Sequence, residues 1–502
     1  MRAIDQASLM WQRWVAGPLR ALRWFGFHHF RPDSARQAPG DLRSASGPQH
    51  TASASGARAS RLLRGFAVML IGLIALPASA VLPIESWRTS SGARVLFVRA
   101  DSIPMLDLQI DFDAGDRLSP RERQGLASMV NALLATGVAE LDEATIAERF
   151  ALTGAARGGG AGDDSASVSL RSLVSEPQLS QALSLLAEIL AAPTFPQAVL
   201  DREKARVVAS LRESAVRPET IARRAFDSLL YGDHPYGRHA EPETIEAITR
   251  ADLVRFHADH YSARRAVISM IGAVSRERAA AIAEQLTRRL PSGVDAPPLA
   301  ALPTVPTGVE RRIEHPASQS HLLVGLRGIA RGDPDFFALT VGNYVLGGGG
   351  FVSRLYGEVR EKRGLAYSVY SYFSPQVQPG PFTVGLQTRK DQADQALAIV
   401  REVLERFARE GPSADELAAA KSNLIGGFAL RIDSNAKILA QLSAIGFHGL
   451  PLDWLERWTD RIAAVSLDDV RAAFARHLRI DALSTVVVGA PTSGTAPAQP
   501  GR

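Results

Sequence analysis

The 502-residue sequence contains no cysteine. That excludes thiolate zinc sites, iron–sulfur clusters, cysteine nucleophiles and disulfide frameworks, and leaves histidine and carboxylates as metal ligands. The sequence has no G-x-S-x-G elbow, no Walker loop and no paired-carboxylate motif, so the familiar serine-hydrolase, nucleotide-binding and glycosidase signatures are missing. The apolar run Gly65–Leu76 falls short of the roughly 20 residues that a membrane-spanning helix needs. Lysine and glutamate are absent from residues 1–80, which carry ten arginines against only Asp5, Asp33 and Asp41, or +7. The whole chain is +5, so the other 422 residues hold 47 basic and 49 acidic groups and sum to −2. The basic balance therefore belongs to the leader, and it gives no support for nucleic-acid binding.

What the leader does contain has a recognisable order. Arg61 and Arg64 precede the apolar run, and Pro77-Ala78-Ser79-Ala80 follows with an A-x-A pattern. Charged start, short apolar stretch and small-residue cut site read as a secretory signal over 61–80. The expectation is a periplasmic or secreted chain after cleavage near Ala80, the alternative being an inner-membrane anchor at 65–82. Residues 1–60, rich in Arg, Ser and Pro, read as a disordered extension or a misplaced start.

At 46% hydrophobic and 22% charged residues, the rest is globular and long enough for two or more domains. Residues 81–290 and 311–490 read as two domains. Between them lies a linker (291–310) whose stretch Pro291–Gly308 holds five prolines and one charge, Asp295. Residues 491–502 read as a low-complexity tail. Both segments alternate strand-like stretches (Val95–Val98, Leu106–Phe112, Ser167–Leu173, Ala266–Ile271) with helix-like ones (Leu179–Leu190, Gln197–Arg212, Asp394–Ala408). The two segments also match each other: Thr249/Ser466, Asp252/Asp469, His260/His477 and Gly272/Gly489 all lie 217 residues apart. Thr249 and Ser466 are N-cap candidates, each opening a helix that leads to a terminal strand. The expected fold class is α+β: two homologous α/β-sandwich halves, each an antiparallel-rich sheet with helices packed on it, closed as a clam-shell.

The sharpest local signal runs from Leu346 to Ser371. The glycine run Gly347, Gly348, Gly349, Gly350 permits positive φ and close backbone approach. Ser353 caps a helix running to about Arg363, Gly364 stops it, and a strand begins at Tyr367. Arg360 then sits in the last helical turn, where it and the Tyr367 hydroxyl could converge. The residues alone leave open a solvated helix-end charge and a core aromatic.

This stretch resembles the C-terminal-domain signature of the pitrilysin/insulinase/processing-peptidase family, the inverted zincins. Gly115–Arg117 with Gln124–Ala127 resembles the approach to that family's zinc helix, and Leu230–Gly237 (LYGDHPYG) resembles a later motif of the same domain. Active members carry H-x-x-E-H, two histidines binding zinc and a glutamate activating water. Aligned on Gly125-Leu126-Ala127, the three positions hold Ser128, Asn131 and Ala132. The third-ligand position falls at Val207–Ser210, which has no carboxylate, although Glu203 and Glu213 flank it. Substitute ligands were weighed at His257/His260 and at His234/His239; structural roles are expected for them, and solvent-facing positions for His315 and His321.

The resemblance implies that Arg360 and Tyr367, seven residues apart, contact peptide and developing oxyanion, with Gly347–Gly350 as a substrate-chamber loop. In some members one subunit brings zinc and its base while the other brings this pair. The expected function is thus the zinc-less subunit of a heterodimeric zinc metallopeptidase, inactive alone, with no cofactor of its own. Its expected partners are an H-x-x-E-H subunit of the same family and peptide substrates. Two alternatives stand beside it: a non-enzymatic peptide-binding chamber or scaffold, and an autonomous hydrolase with an unrecognised site.

Overall fold

The computed structural model describes residues 83–489. The expected leader, signal or anchor, and tail lie outside the described residues. Strands β1 (Glu85–Arg88), β2 (Arg94–Arg99), β3 (Met105–Phe112), β4 (Ala156–Ala161), β5 (Ala166–Leu173) and β6 (Ala266–Gly272) form a six-stranded sheet in the order β1-β2-β6-β3-β5-β4. Strands β7 (Glu310–Ile313), β8 (Gln319–Arg327), β9 (Ala366–Phe373), β10 (Pro381–Arg389) and β11 (Ser484–Val488) form a five-stranded sheet in the order β9-β10-β8-β11-β7. Without β1 the two sheets correspond strand for strand. In each, one pair is parallel (β2 with β6, β7 with β11) and the others run antiparallel. Residues 291–309, between them, carry neither helix nor strand.

The helices repeat the correspondence. The first half contributes α1 (Leu126–Leu133), α2 (Gln178–Ala191), α3 (Gln197–Ala215), α4 (Pro218–Tyr231) and α5 (Arg250–His260). The second contributes α6 (Phe336–Asn343), α7 (Ala393–Glu410), α8 (Ala414–Gly426), α9 (Asn435–Phe447) and α10 (Leu467–His477). Three pairs, α3/α8, α4/α9 and α5/α10, begin 217 residues apart. Both expected caps are capping boxes: Thr249 Oγ1 accepts from Asp252 N and Ser466 Oγ from Asp469 N, while each Asp carboxylate accepts from the cap's backbone N–H. The matched glycines share a cause. A Cβ on Gly272 would lie 2.3 Å from Met105 O, and one on Gly489 2.7 Å from Gln319 O, at the starts of the equivalent strands β3 and β8.

The halves exchange one helix each. α4 leaves the first half to cover β8 and β11: Phe226, Leu230 and Tyr231 pack in one cluster with Leu323, Val486 and Val488. Reciprocally, α9 covers β2, β3 and β6, and a Cβ on Gly446 would meet Val267 Cγ1 at 2.4 Å. Each sheet is therefore buried on one face by its own helices and on the other by its sister's.

One carboxyl is trapped under this exchange. Asp111 on β3 is 3% exposed; Gln109 Nε2 and, from α9, Ser443 Oγ each donate to it at 2.7 Å. Burial pushes it up to about 6, and the two hydrogen bonds draw it back only in part. A carboxyl raised in the folded state adds stability that is present below its unfolded value and lost as pH rises through about 6. Buried His257 and His260, held near 4 mainly by burial, act oppositely below their unfolded value of 6.5. The informative quantity is thus a difference. Relative to Asp111→Asn, the native chain should gain on the order of 1 kcal/mol between about pH 8 and pH 5. Denaturant titrations of both proteins at the two pH values measure it, and a constant gap overturns the assignment.

Candidate functional site

α1 is the helix on which the zinc ligands would sit. It opens at Gly125, whose φ of 98° suits glycine alone, and buries Leu126, Ala127, Met129, Val130 and Leu133. Its polar residues are committed elsewhere. Ser128 Oγ donates to Asp116 Oδ2 at 2.7 Å, and burial raises the Asp116 carboxyl against that bond and the one from Ser119. Asn131 Nδ2 donates to Ser167 O on β5 at 3.0 Å and lies 3.4 Å from the Tyr261 hydroxyl. Ala132 offers no donor atom. On α3, Val208 is buried and Ala209 and Ser210 are exposed. The flanking carboxylates pair within their own helix region, Glu203 with Arg206 and Glu213 with Arg217. A neutral hydroxyl that donates, a spent amide and a methyl group do not make a zinc site, so the residues present do not fit the metal.

The histidines take structural places. His257 Nε2 lies 2.9 Å from Leu190 O, and His260 Nδ1 lies 2.9 Å from Arg265 Nη1. The 217-residue match of His260 with His477 does not give a shared contact, because His477 Nε2 faces Asp335 Oδ2 at 2.9 Å. His315, on the surface as expected, meets Val216 O at 2.9 Å; His321 lies within β8 and is half-buried. His239 stands 3.3 Å from Asp227. Among the described residues, Asp333, Asp335 and His477 are the one group of three candidate metal ligands within 4.8 Å. Arg476 already clamps Asp335 through two hydrogen bonds of 2.9 and 2.7 Å, which makes this group an ion-pair cluster.

The LYGDHPYG segment joins the halves. The Tyr231 hydroxyl donates to Pro379 O at 3.0 Å, and that of Tyr236 to Asp164 Oδ1 at 2.5 Å. His234 Nδ1 accepts from Tyr236 N, which leaves Nε2 to donate to Gln378 Oε1 at 3.0 Å. Val377 N donates to Asp164 Oδ2 at 2.9 Å, so the turn after β4 is tied to the loop after β9.

The Arg/Tyr segment departs from its expected secondary structure. The glycine run is a helical turn and not an open loop: α6 widens into a π-helical turn over Tyr344–Gly348, and a 3₁₀ turn follows over Gly350–Val352. Gly350 has φ +63°, and a Cβ on Gly347 would lie 2.4 Å from Ser371 Oγ on β9, so this run is glycine to let helix and strand touch. Asn343 and Ser371 lock the contact with reciprocal hydrogen bonds of 3.0 and 2.7 Å. The expected α-helix up to Arg363 is instead a second π-helical turn, Tyr356–Glu361, closed at Gly364 (φ +62°). This wider turn swings Arg360 over the start of β9.

There the strand carries a bulge. The β9–β10 register shifts between Ala366 and Val369, so Tyr367 and Ser368 together oppose one residue of β10. Bulges re-aim side chains, and Tyr367 projects 82% exposed. The Arg360 guanidinium carbon lies 4.6 Å from the centroid of the Tyr367 ring, 4.8 Å from that of Tyr356 and 6.0 Å from that of Phe351. The structure thus brings together Arg360, Tyr367 and the end of the glycine run, and adds Tyr356 and Phe351. Tyr356 was discoverable from its i,i+4 spacing to Arg360; Phe351 carried no signal of its own.

The sheets, the repeat and the emptied metal-binding helix define a duplicated α+β, peptidase-like protein of an inactive type. Two adjacent stretches match models of one family: residues 94–242 match the insulinase domain of peptidase family M16, and residues 247–424 match the peptidase M16 inactive domain. The chain belongs to peptidase family M16. It is 30% identical over 312 residues to an uncharacterized zinc protease of Streptomyces coelicolor (60% of this chain, 67% of the relative). It is 25% identical over 400 residues to the non-peptidase homolog YmxG of Helicobacter pylori (78% and 91%). Among solved structures, a peptidase M16 inactive domain from Pseudomonas fluorescens matches with a TM-score of 0.77 and 40% identity, covering 82% of this chain and 99% of that one.

Proposed function

We propose that this chain is the zinc-less subunit of a two-subunit zinc metallopeptidase. It would work after export to the periplasm or the exterior, with the signal cut near Ala80. One observation carries the reading: the helix that would bind metal has lost every donor, while Arg360 and Tyr367 stand exposed and undamaged on a bulged strand. In this role Arg360 holds the peptide and the Tyr367 hydroxyl donates to the oxygen that gains charge as the scissile carbonyl is attacked. The base and the metal come from an H-x-x-E-H subunit. The full chain alone should hold less than stoichiometric zinc and leave peptides intact; mixing it with such a subunit should start hydrolysis. Zinc assay and peptide mass spectrometry measure this, and hydrolysis by the chain alone with bound zinc would sink the proposal. A peptide-binding scaffold of the same fold is the second reading. It is favoured by the Gly-rich strand β4 at the edge of its sheet, open to strand addition. It predicts peptide binding that no zinc subunit turns into cleavage.

A further inference from the structure

The charges around Arg360 are sorted in an informative way. Arg354 pairs with Glu416 at 2.6 Å. Glu358 is shared by Lys362 at 2.9 Å, Arg363 at 2.6 Å and Arg406 at 3.3 Å. These bonds from Lys362 and Arg363 hold the Glu358 carboxyl well below its usual range, at about 2. The acids that face this motif are therefore taken by other cations. Arg360, half-buried, makes neither an ion pair nor a hydrogen bond with the described residues; its partners are the faces of Tyr356, Tyr367 and Phe351. Rings bind a guanidinium by its flat face and leave its rim of N–H donors unsatisfied. Beside that rim Phe351 and Val352 are 73% and 74% exposed.

We propose that Arg360, with Phe351 and Val352 beside it, is a receptor for a peptide carboxylate next to an apolar side chain. The inference rests on Arg360 and Tyr367 facing peptide, as in the function proposed above, and it names what they select. The planar fork fits the two oxygens of a carboxylate with two parallel hydrogen bonds, whereas a backbone carbonyl uses only part of it. The three rings hold the fork's orientation, so little side-chain freedom is lost on binding. Phe351 and Val352 supply the adjoining apolar surface. The carboxylate can be an Asp or Glu side chain or the peptide's own C-terminus.

Fluorescence anisotropy with the full chain and no partner tests this. The probes are labelled peptides containing Phe-Asp with an amidated end, the same peptide with Phe-Asn, and a third ending in Phe with a free or an amidated C-terminus. At least one carboxylate peptide should bind about 10-fold tighter than its neutral counterpart, and salt should shrink the difference. The two pairs show which carboxylate is read. Arg360→Lys keeps the charge but not the fork and should abolish the discrimination with an unchanged melting temperature. Phe351→Ala should weaken all the Phe-bearing peptides alike. Equal binding of carboxylate and amide peptides, or full discrimination by Arg360→Lys, overturns the inference. Neither result depends on a zinc subunit. Failure of assisted hydrolysis would therefore count against the proposed function alone, and loss of carboxylate preference against this receptor alone.

Discussion

Replacing Tyr367 by Phe should lower the turnover of the two-subunit peptidase by about 10²-fold or more, the usual loss when one oxyanion donor is removed. Assembly, partner zinc content and the melting temperature of this chain should stay as they are. The asymmetry follows from where the hydroxyl sits. Tyr367 is 82% exposed, and its hydroxyl makes no hydrogen bond with the described residues, so folding loses nothing with it. The ring, which packs on the Arg360 guanidinium at 4.6 Å, survives in Phe. The loss should fall on kcat more than on KM, because a donor aimed at developing charge is strongest in the transition state. Steady-state kinetics on the reconstituted pair measure this. Unchanged kcat would remove Tyr367 from the chemistry, and a fall in melting temperature would make it a structural residue.

The sequence carried the elements and their duplication more clearly than their arrangement. Strands such as Leu106–Phe112 and helices such as Asp394–Ala408 show because one face of each is buried, and burial leaves a period in the residue pattern. The caps at Thr249 and Ser466 were legible because their contacts are local. Arg360 and Tyr367 were legible as a spacing, but the geometry that gives them meaning was not. A π-helical turn and a bulge each add one residue to a regular repeat, and nothing in the types Tyr356–Glu361 or Tyr367-Ser368 requires it. The histidines at 260 and 477 show the opposite failure. Their register match is real, yet one meets Arg265 and the other Asp335, since a side chain's partner depends on what packs above it. The helix exchange was invisible for the same reason: an apolar stripe says that a helix covers something, not which sheet.

That exchange sets the last and largest expectation for stability. Residues 83–290 produced alone should fail to fold into a stable monomer, and so should residues 291–489; produced together they should assemble. Alone, the first half would present Phe226, Leu230 and Tyr231 of α4 to water and would leave β2, β3 and β6 without α9. Phe226 is fully buried and reaches within 3.0 Å of a Cβ built on Gly325 of β8, so the fit across the halves is tight. In the intact chain Phe226→Ala should therefore cost about 3–5 kcal/mol, as for other buried aromatics replaced by alanine. A branched side chain at Gly446 should act on the mirror-related contact, because its Cβ would stand 2.4 Å from Val267 Cγ1. Hydrogen exchange distinguishes this from a pair of independent domains. With exchanged helices, Phe226→Ala should speed exchange in β8 and β11 of the second sheet as well as in α4, because those strands lose the packing that covers them. A cooperative unfolding transition from either half in isolation, or a Phe226→Ala effect confined to α4, would show that each half carries its own stability and that the exchanged helices are only docked.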